Sequence, residues 1–173
     1  DWKGLGGPVL MGLLRSTQFR KEVFSFGYDE GWLKTHAQVL DPDLQLFGGA
    51  QYLTAEKTNF GMFMYSSPDW WGRMLMDRRE AVYARQEGRR PRALWETDYL
   101  LGVYDGHRMG ALRFKEDPQG PFLNNNKDMA SPPWTSIREL EHASLELEKD
   151  GDDESRLKWL NMLIAPGSSL GGA

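Results

Sequence analysis

The residue types best suited to chemistry stand together at the end of the chain, where Pro166 to Ala173 reads PGSSLGGA. Gly167, Gly171 and Gly172 permit tight backbone, and the amides of such a turn can close on an anion. Ser168 and Ser169 add hydroxyls that contact a phosphate or accept one, and Leu170 and Ala173 complete the segment. A phosphate-cradling turn is therefore one reading, and a plain Gly/Ser tail is the other. A phosphate loop is useful only when a domain holds the rest of the nucleotide. On the first reading, the chain is the front part of a nucleotide-using protein. Phosphoryl transfer also needs a nucleotide-binding Lys, a catalytic-loop Asp and metal-holding carboxylates. No such pattern follows the loop, so no residue of the chain is assigned a catalytic role.

Other chemical residues carry weaker patterns. His36, His107 and His142 are far apart, without the paired spacing of a metal site, and read as surface or satisfied histidines. Eight carboxylates between Glu139 and Glu154 form an acidic stretch, read as a solvated helix face and loop. Seven arginines between Arg73 and Arg92 stand against Asp77, Glu80 and Glu87. They read either as a salt-linked helix end or as a contact surface for protein or nucleic-acid backbone, both of which Arg suits. Trp70 and Trp71 are adjacent and cannot share a helix face, and Trp71 is the expected core member.

The elements that must position these residues are mixed. The 173 residues suffice for one domain, or one domain and the start of another. A composition of 40% hydrophobic and 12% aromatic residues, with seven Trp and eight Met, predicts packed helices or a broad apolar contact surface. The net charge of −4 argues against nucleic-acid binding by the whole chain. The absence of Cys excludes disulfides and thiolate metal sites, which suits a cytoplasmic location. No apolar run approaches the roughly 20 residues of a membrane-spanning helix. The opening Asp1-Trp2, without Met, reads as a trimmed N-terminus.

Residues 8–14 and Glu22 to Tyr28 read as a strand hairpin, and Asp29 as the N-cap of a short helix bearing Trp32. Phe60 to Tyr65 reads as a short buried strand. Ser67-Pro68-Asp69 is a helix start and Gly88 its stop, with Trp71, Met74, Leu75, Arg78 and Val82 on one face. Leu94 to Val103 reads as a helix, Met109 to Phe114 as a strand, and Asp117 to Pro133 as a loop. Ser136 to Glu139 matches a capping box for the next helix. After an acidic break, Leu157 to Ile164 makes another helix, stopped by Pro166-Gly167. Strands and helices without strict alternation predict an α+β fold.

Three segments, in order, carry a resemblance. They are SSPDWWGRMLMDRRE (Ser66 to Glu80), DYLLGVYDGHRMGALRF (Asp98 to Phe114) and the terminal PGSSLGGA. The first resembles the S-P-D-x-W-G-R-x-L helix of HipA-family proteins, the serine/threonine kinase toxins of bacterial type II toxin–antitoxin systems. The second resembles that family's D-x-L-x-G-x-D-x-R-M-G-A-L-R-F passage from helix to strand. The third resembles the start of its ATP-binding loop. The resemblance implies a HipA-like N-terminal subdomain over residues 1–115 and a helical connection over 116–165. Residues 166–173 would then begin the glycine-rich loop of a kinase-like N-lobe, with the kinase core absent. It implies ATP and Mg2+ in a longer parent, with Gly167, Ser168, Ser169, Leu170, Gly171, Gly172 and Ala173 at the nucleotide. Ser169 falls on the family's autophosphorylated serine, with Ser168 beside it. A phosphoserine carries roughly −1.5 to −2 charges and would repel ATP phosphates from the same cradle. The implied partners are a helix-turn-helix, HipB-like antitoxin that binds operator DNA, and a protein substrate such as an aminoacyl-tRNA synthetase. An alternative stays open: a stand-alone, non-catalytic module like the HipA N-subdomain, restraining a partner kinase.

Overall fold

The computed structural model describes residues 6–36, 38–54, 56–103, 105, 108, 110–123, 137–149 and 152–170. Its architecture is mixed α+β, with one three-stranded antiparallel sheet in the order β1-β2-β3 and six helices among the described residues.

The hairpin forms as the alternating pattern predicts, shifted a few residues along the chain on its first side. Strands β1 (Gly12–Gln18) and β2 (Glu22–Tyr28) pair from Gly12 opposite Tyr28 to Gln18 opposite Glu22. Residues 8–11 precede the strand, and Phe19 to Lys21 make the turn. The β2 side chains Phe24, Phe26 and Tyr28 share one face and are buried together, as a strand's two-residue period requires. Asp29 caps α1 (Glu30–Thr35), accepting from the amides of Gly31 at 2.8 Å and Trp32 at 3.2 Å. The two-residue β3 (Gln51–Tyr52) closes the sheet on β2.

Phe60 to Tyr65 is not the strand its apolar run predicts. It forms the short helix α2 (Gly61–Tyr65), with Phe60 as N-cap. A six-residue apolar run has no period that separates helix from buried strand. Tertiary contacts decide it: the buried Asp41 carboxylate accepts from the Met62 amide at 2.7 Å, supplying the cap that Phe60 cannot. Phe60 and Phe63, three apart, then turn inward against Phe26.

The long helix α3 (Trp70–Gln86) begins at Asp69 rather than Ser67, the Asp69 carboxylate accepting from the Gly72 amide at 2.8 Å. Ser67 instead donates its hydroxyl back to the Phe63 carbonyl, so it ends α2. The stop is where the sequence places it, with Gly88 at a φ of +66°. Helix α3 buries Leu75, Met76, Val82 and Ala84, with Trp71 partly buried against the same cluster. Its neighbour Trp70 is 77% exposed. Helix α4 (Glu96–Leu101) is shorter than the stretch from Leu94 to Val103 expected for it. Residues 110–115 carry no strand, contrary to the reading of Met109 to Phe114. Leu112 and Phe114 instead pack onto the sheet's core as irregular chain. Ser136 of the expected capping box lies outside the described residues. Helix α5 (Ile137–Glu148) follows it, and after the acidic break comes α6 (Asp153–Leu170). Asp152 receives the Ser155 amide at 2.9 Å at the start of α6.

The apolar residues collect in two clusters. One joins the β2 aromatics to Trp32, Leu44, Phe60, Phe63 and Leu100. The other joins Leu75, Met76 and Val82 of α3 to Ala143 of α5 and to Leu160 and Leu163 of α6. Helix α4 links them, Leu100 facing the first and Tyr99 the second. Residues on both sides of position 115 thus share the second cluster.

Candidate functional site

The terminal segment falls on a helix. Helix α6 runs through Pro166 and Gly167 to Leu170, past the stop that the Pro-Gly pair predicts. Pro166 lacks one amide hydrogen, which removes a single rung from a helix already anchored by Leu160 and Leu163. Gly167, Ser168, Ser169 and Leu170 are therefore in helical backbone, where amides are committed to the helix ladder. Gly171, Gly172 and Ala173 lie outside the described residues.

The two upstream motif segments are brought into direct contact. Arg108 is the centre, its side chain only 1% exposed. Its Nη1 donates to the Ser66 carbonyl at 2.9 Å and the Leu100 carbonyl at 2.6 Å, and its Nη2 to the Val103 carbonyl at 3.3 Å. Each acceptor lies where a helix or turn ends and leaves carbonyls without partners. The guanidinium sits 4.7 Å above the Phe114 ring. The fully buried Asp105 carboxylate stands 3.6 Å from Arg108 Nε and also accepts from Arg113 Nε. Burial pulls the Arg108 pKa below its ordinary value, and the Asp105 charge opposes that shift. Two glycines of the motif fit this clasp. Gly110, at a φ of +80°, lets the chain turn beside Tyr65 and Ser66. At Gly102 an added Cβ would lie 2.2 Å from Met76 Cε, so α4 and α3 approach only because it has none.

A second set of contacts ties α3 to α4. Arg73 holds Glu96 through two bonds of 2.5 and 2.7 Å and lies 4.8 Å above the Tyr99 ring. Tyr99 donates to Asp77 at 2.7 Å. Burial, then that hydrogen bond, pushes its phenol up to about 12. Beyond α3, Arg89 binds Glu80 and Glu87, and Arg92 binds both oxygens of Asp98 at 2.7 and 2.6 Å. The Arg89 bond holds Glu80 below the usual carboxylate range, and the Arg92 bond does the same for Asp98. Much of the arginine cluster is therefore salt-linked, as one of its two readings expects.

The two described histidines sit on different aromatic neighbours. His36 stacks on Trp32 with centroids 4.6 Å apart, His142 meets the Trp159 ring edge-on at 5.5 Å, and His107 lies outside the described residues. Among the described residues, no three His, Cys, Asp or Glu side chains gather as a metal site. No described helix is long and apolar enough to cross a membrane.

Sequence reasoning missed the buried role of Asp105 and Arg108. The available signal was their three-residue spacing inside a Gly-punctuated, otherwise apolar stretch. No protein-family model matches the chain, and no curated protein or solved structure matches it.

Proposed function

We propose that the chain is the N-terminal region of a HipA-like serine/threonine protein kinase, the toxin of a type II toxin–antitoxin pair. The observation that carries this reading is the interlock of Ser66 with Arg108 and Gly110, which joins the two longest resembling segments. Residues that make the resemblance specific are the ones on which the fold's polar centre depends. In the parent, the nucleotide and Mg2+ belong to a kinase core with its own Lys and Asp residues. Residues 167–170 are helical, so they do not present the open turn that a nucleotide phosphate would need. An ATP loop here requires α6 to end near Pro166, which is the position least able to hold a helix. The proposed substrates are the parent's own Ser169 and a translation-related protein. The proposed partner is a helix-turn-helix antitoxin, with operator DNA reached through it.

The helical state of 167–170 favours one second reading, a stand-alone module that restrains a partner kinase and needs no ATP loop. Phosphotransfer separates the two. The complete gene product, incubated with ATP and Mg2+, is expected to gain phosphate on Ser169, as located by mass spectrometry. The S169A product should gain none there. Unchanged autophosphorylation in S169A removes the residue assignment, and a complete product that transfers no phosphate overturns the kinase reading.

A further inference from the structure

A cleft of about 620 Å3 opens over the seam between α3 and α6. This is the size range of small-ligand sites, about 300–1,000 Å3. Its lining combines Arg78 and Arg85 of α3 and Arg156 of α6 with the apolar Val82, Leu160 and Pro91. The floor is preformed, because Val82 and Leu160 are core residues, 3% and 1% exposed.

Arg78 and Arg85 differ from the rest of the arginine cluster. Arg73 and Arg92 each spend two guanidinium nitrogens on carboxylates, and Arg89 spends three. Arg78 has no carboxylate partner among the described residues, and Arg85 makes one contact, to Asp153 at 2.9 Å. A guanidinium has five N–H donors in a planar fork, so a single contact leaves Arg85 able to grip a second oxyanion. Its side chain is 54% exposed and within reach of solvent. Of the other carboxylates of α3, Glu80 is held by Arg89 and the Arg92 amide, and Asp77 accepts from Tyr99.

The geometry points to a binding site for an amphipathic organic anion, a phosphate monoester or carboxylate on an apolar body. Its head group would lie between Arg78 and Arg85, and its body on Val82, Leu160 and Pro91. Bidentate Arg–oxyanion bonds fix the head, and the area removed from water adds affinity for the tail. This site is separate from the terminal segment and does not depend on the kinase reading.

The test is a titration of the 15N-labelled chain, followed by amide NMR, with octyl phosphate, octanoate, inorganic phosphate and octanol. Octyl phosphate or octanoate should give saturable shifts centred on residues 78–85 and 156–160, and whichever binds tighter identifies the head group. Inorganic phosphate should bind more weakly and octanol should not compete. The R78Q/R85Q double variant, changed only at exposed side chains, should bind about tenfold more weakly. R20Q, on the hairpin turn, should bind as the parent does. Unsaturable or scattered shifts, equal affinity in R78Q/R85Q, or octanol binding as well as the anions would overturn the site.

Discussion

Arg108 illustrates how one buried cation organises irregular chain. Its three carbonyl acceptors come from the end of α2, from within α4 and from the turn after it. Removing Arg108 would leave those carbonyls buried without their donor and the buried Asp105 carboxylate with Arg113 as its remaining cation. R108A should therefore cost about 3–5 kcal/mol in urea unfolding. A loss under about 1 kcal/mol would show that water or rearrangement replaces the guanidinium. Tyr99 gives a pH-dependent counterpart. Its phenol is pushed up to about 12, above the unfolded value near 10. A raised pKa contributes stability that is fully present below the unfolded pKa and is lost as pH rises through the folded one. The stability gap between the parent chain and Y99F should hold to about pH 10 and narrow toward pH 12. A gap that stays constant across that window would mean Tyr99 titrates alike in both states.

Among the elements, α4 has an influence beyond its six residues. Consecutive side chains Tyr99 and Leu100 serve different clusters, Thr97 reaches Glu22 of the hairpin, and Glu96 reaches Arg73 of α3. The close approach of its C-terminal end to α3 rests on Gly102. G102A would set a methyl 2.2 Å from Met76 Cε and 2.7 Å from the Asp98 carbonyl. Met76 can swing away, but the carbonyl belongs to the helix itself. The expected cost is about 1–3 kcal/mol, read as a lower urea midpoint with an unchanged slope. If G102A matched the parent chain, the α3–α4 spacing would have slack that these contacts do not suggest.

For the whole molecule, the two apolar clusters and the polar clasp join the sheet and the helices into one packed scaffold. Helix α3 shares one cluster with α5 and α6, so the helical connection is part of the same packing as the motif-bearing segments. On the proposed reading, catalysis belongs to the parent kinase and the scaffold carries the loop to it. The isolated 173-residue chain should transfer no phosphate from ATP in a radiolabel assay. Incorporation by a homogeneous sample would place catalysis within these residues and refute that division.

The sequence by itself determined the parts governed by local rules. Asp29 was recognisable as a cap because its carboxylate needs only the next few amides. The run from Glu22 to Tyr28 was recognisable as a strand of the hairpin, and Gly88 marked the end of α3 through its left-handed backbone. It determined the α+β class for the same reason. Tertiary structure decided what local rules leave degenerate. Phe60 to Tyr65 became a helix because Asp41, distant in sequence, caps it. Residues 110–115 remained irregular because Arg108 and the sheet's core take up Phe114 without a strand partner. The cleft of Arg78, Arg85 and Arg156 was invisible in the chain, since α6 supplies one wall from some 70 residues away. In each case the deciding interaction joins residues that no short-range pattern relates.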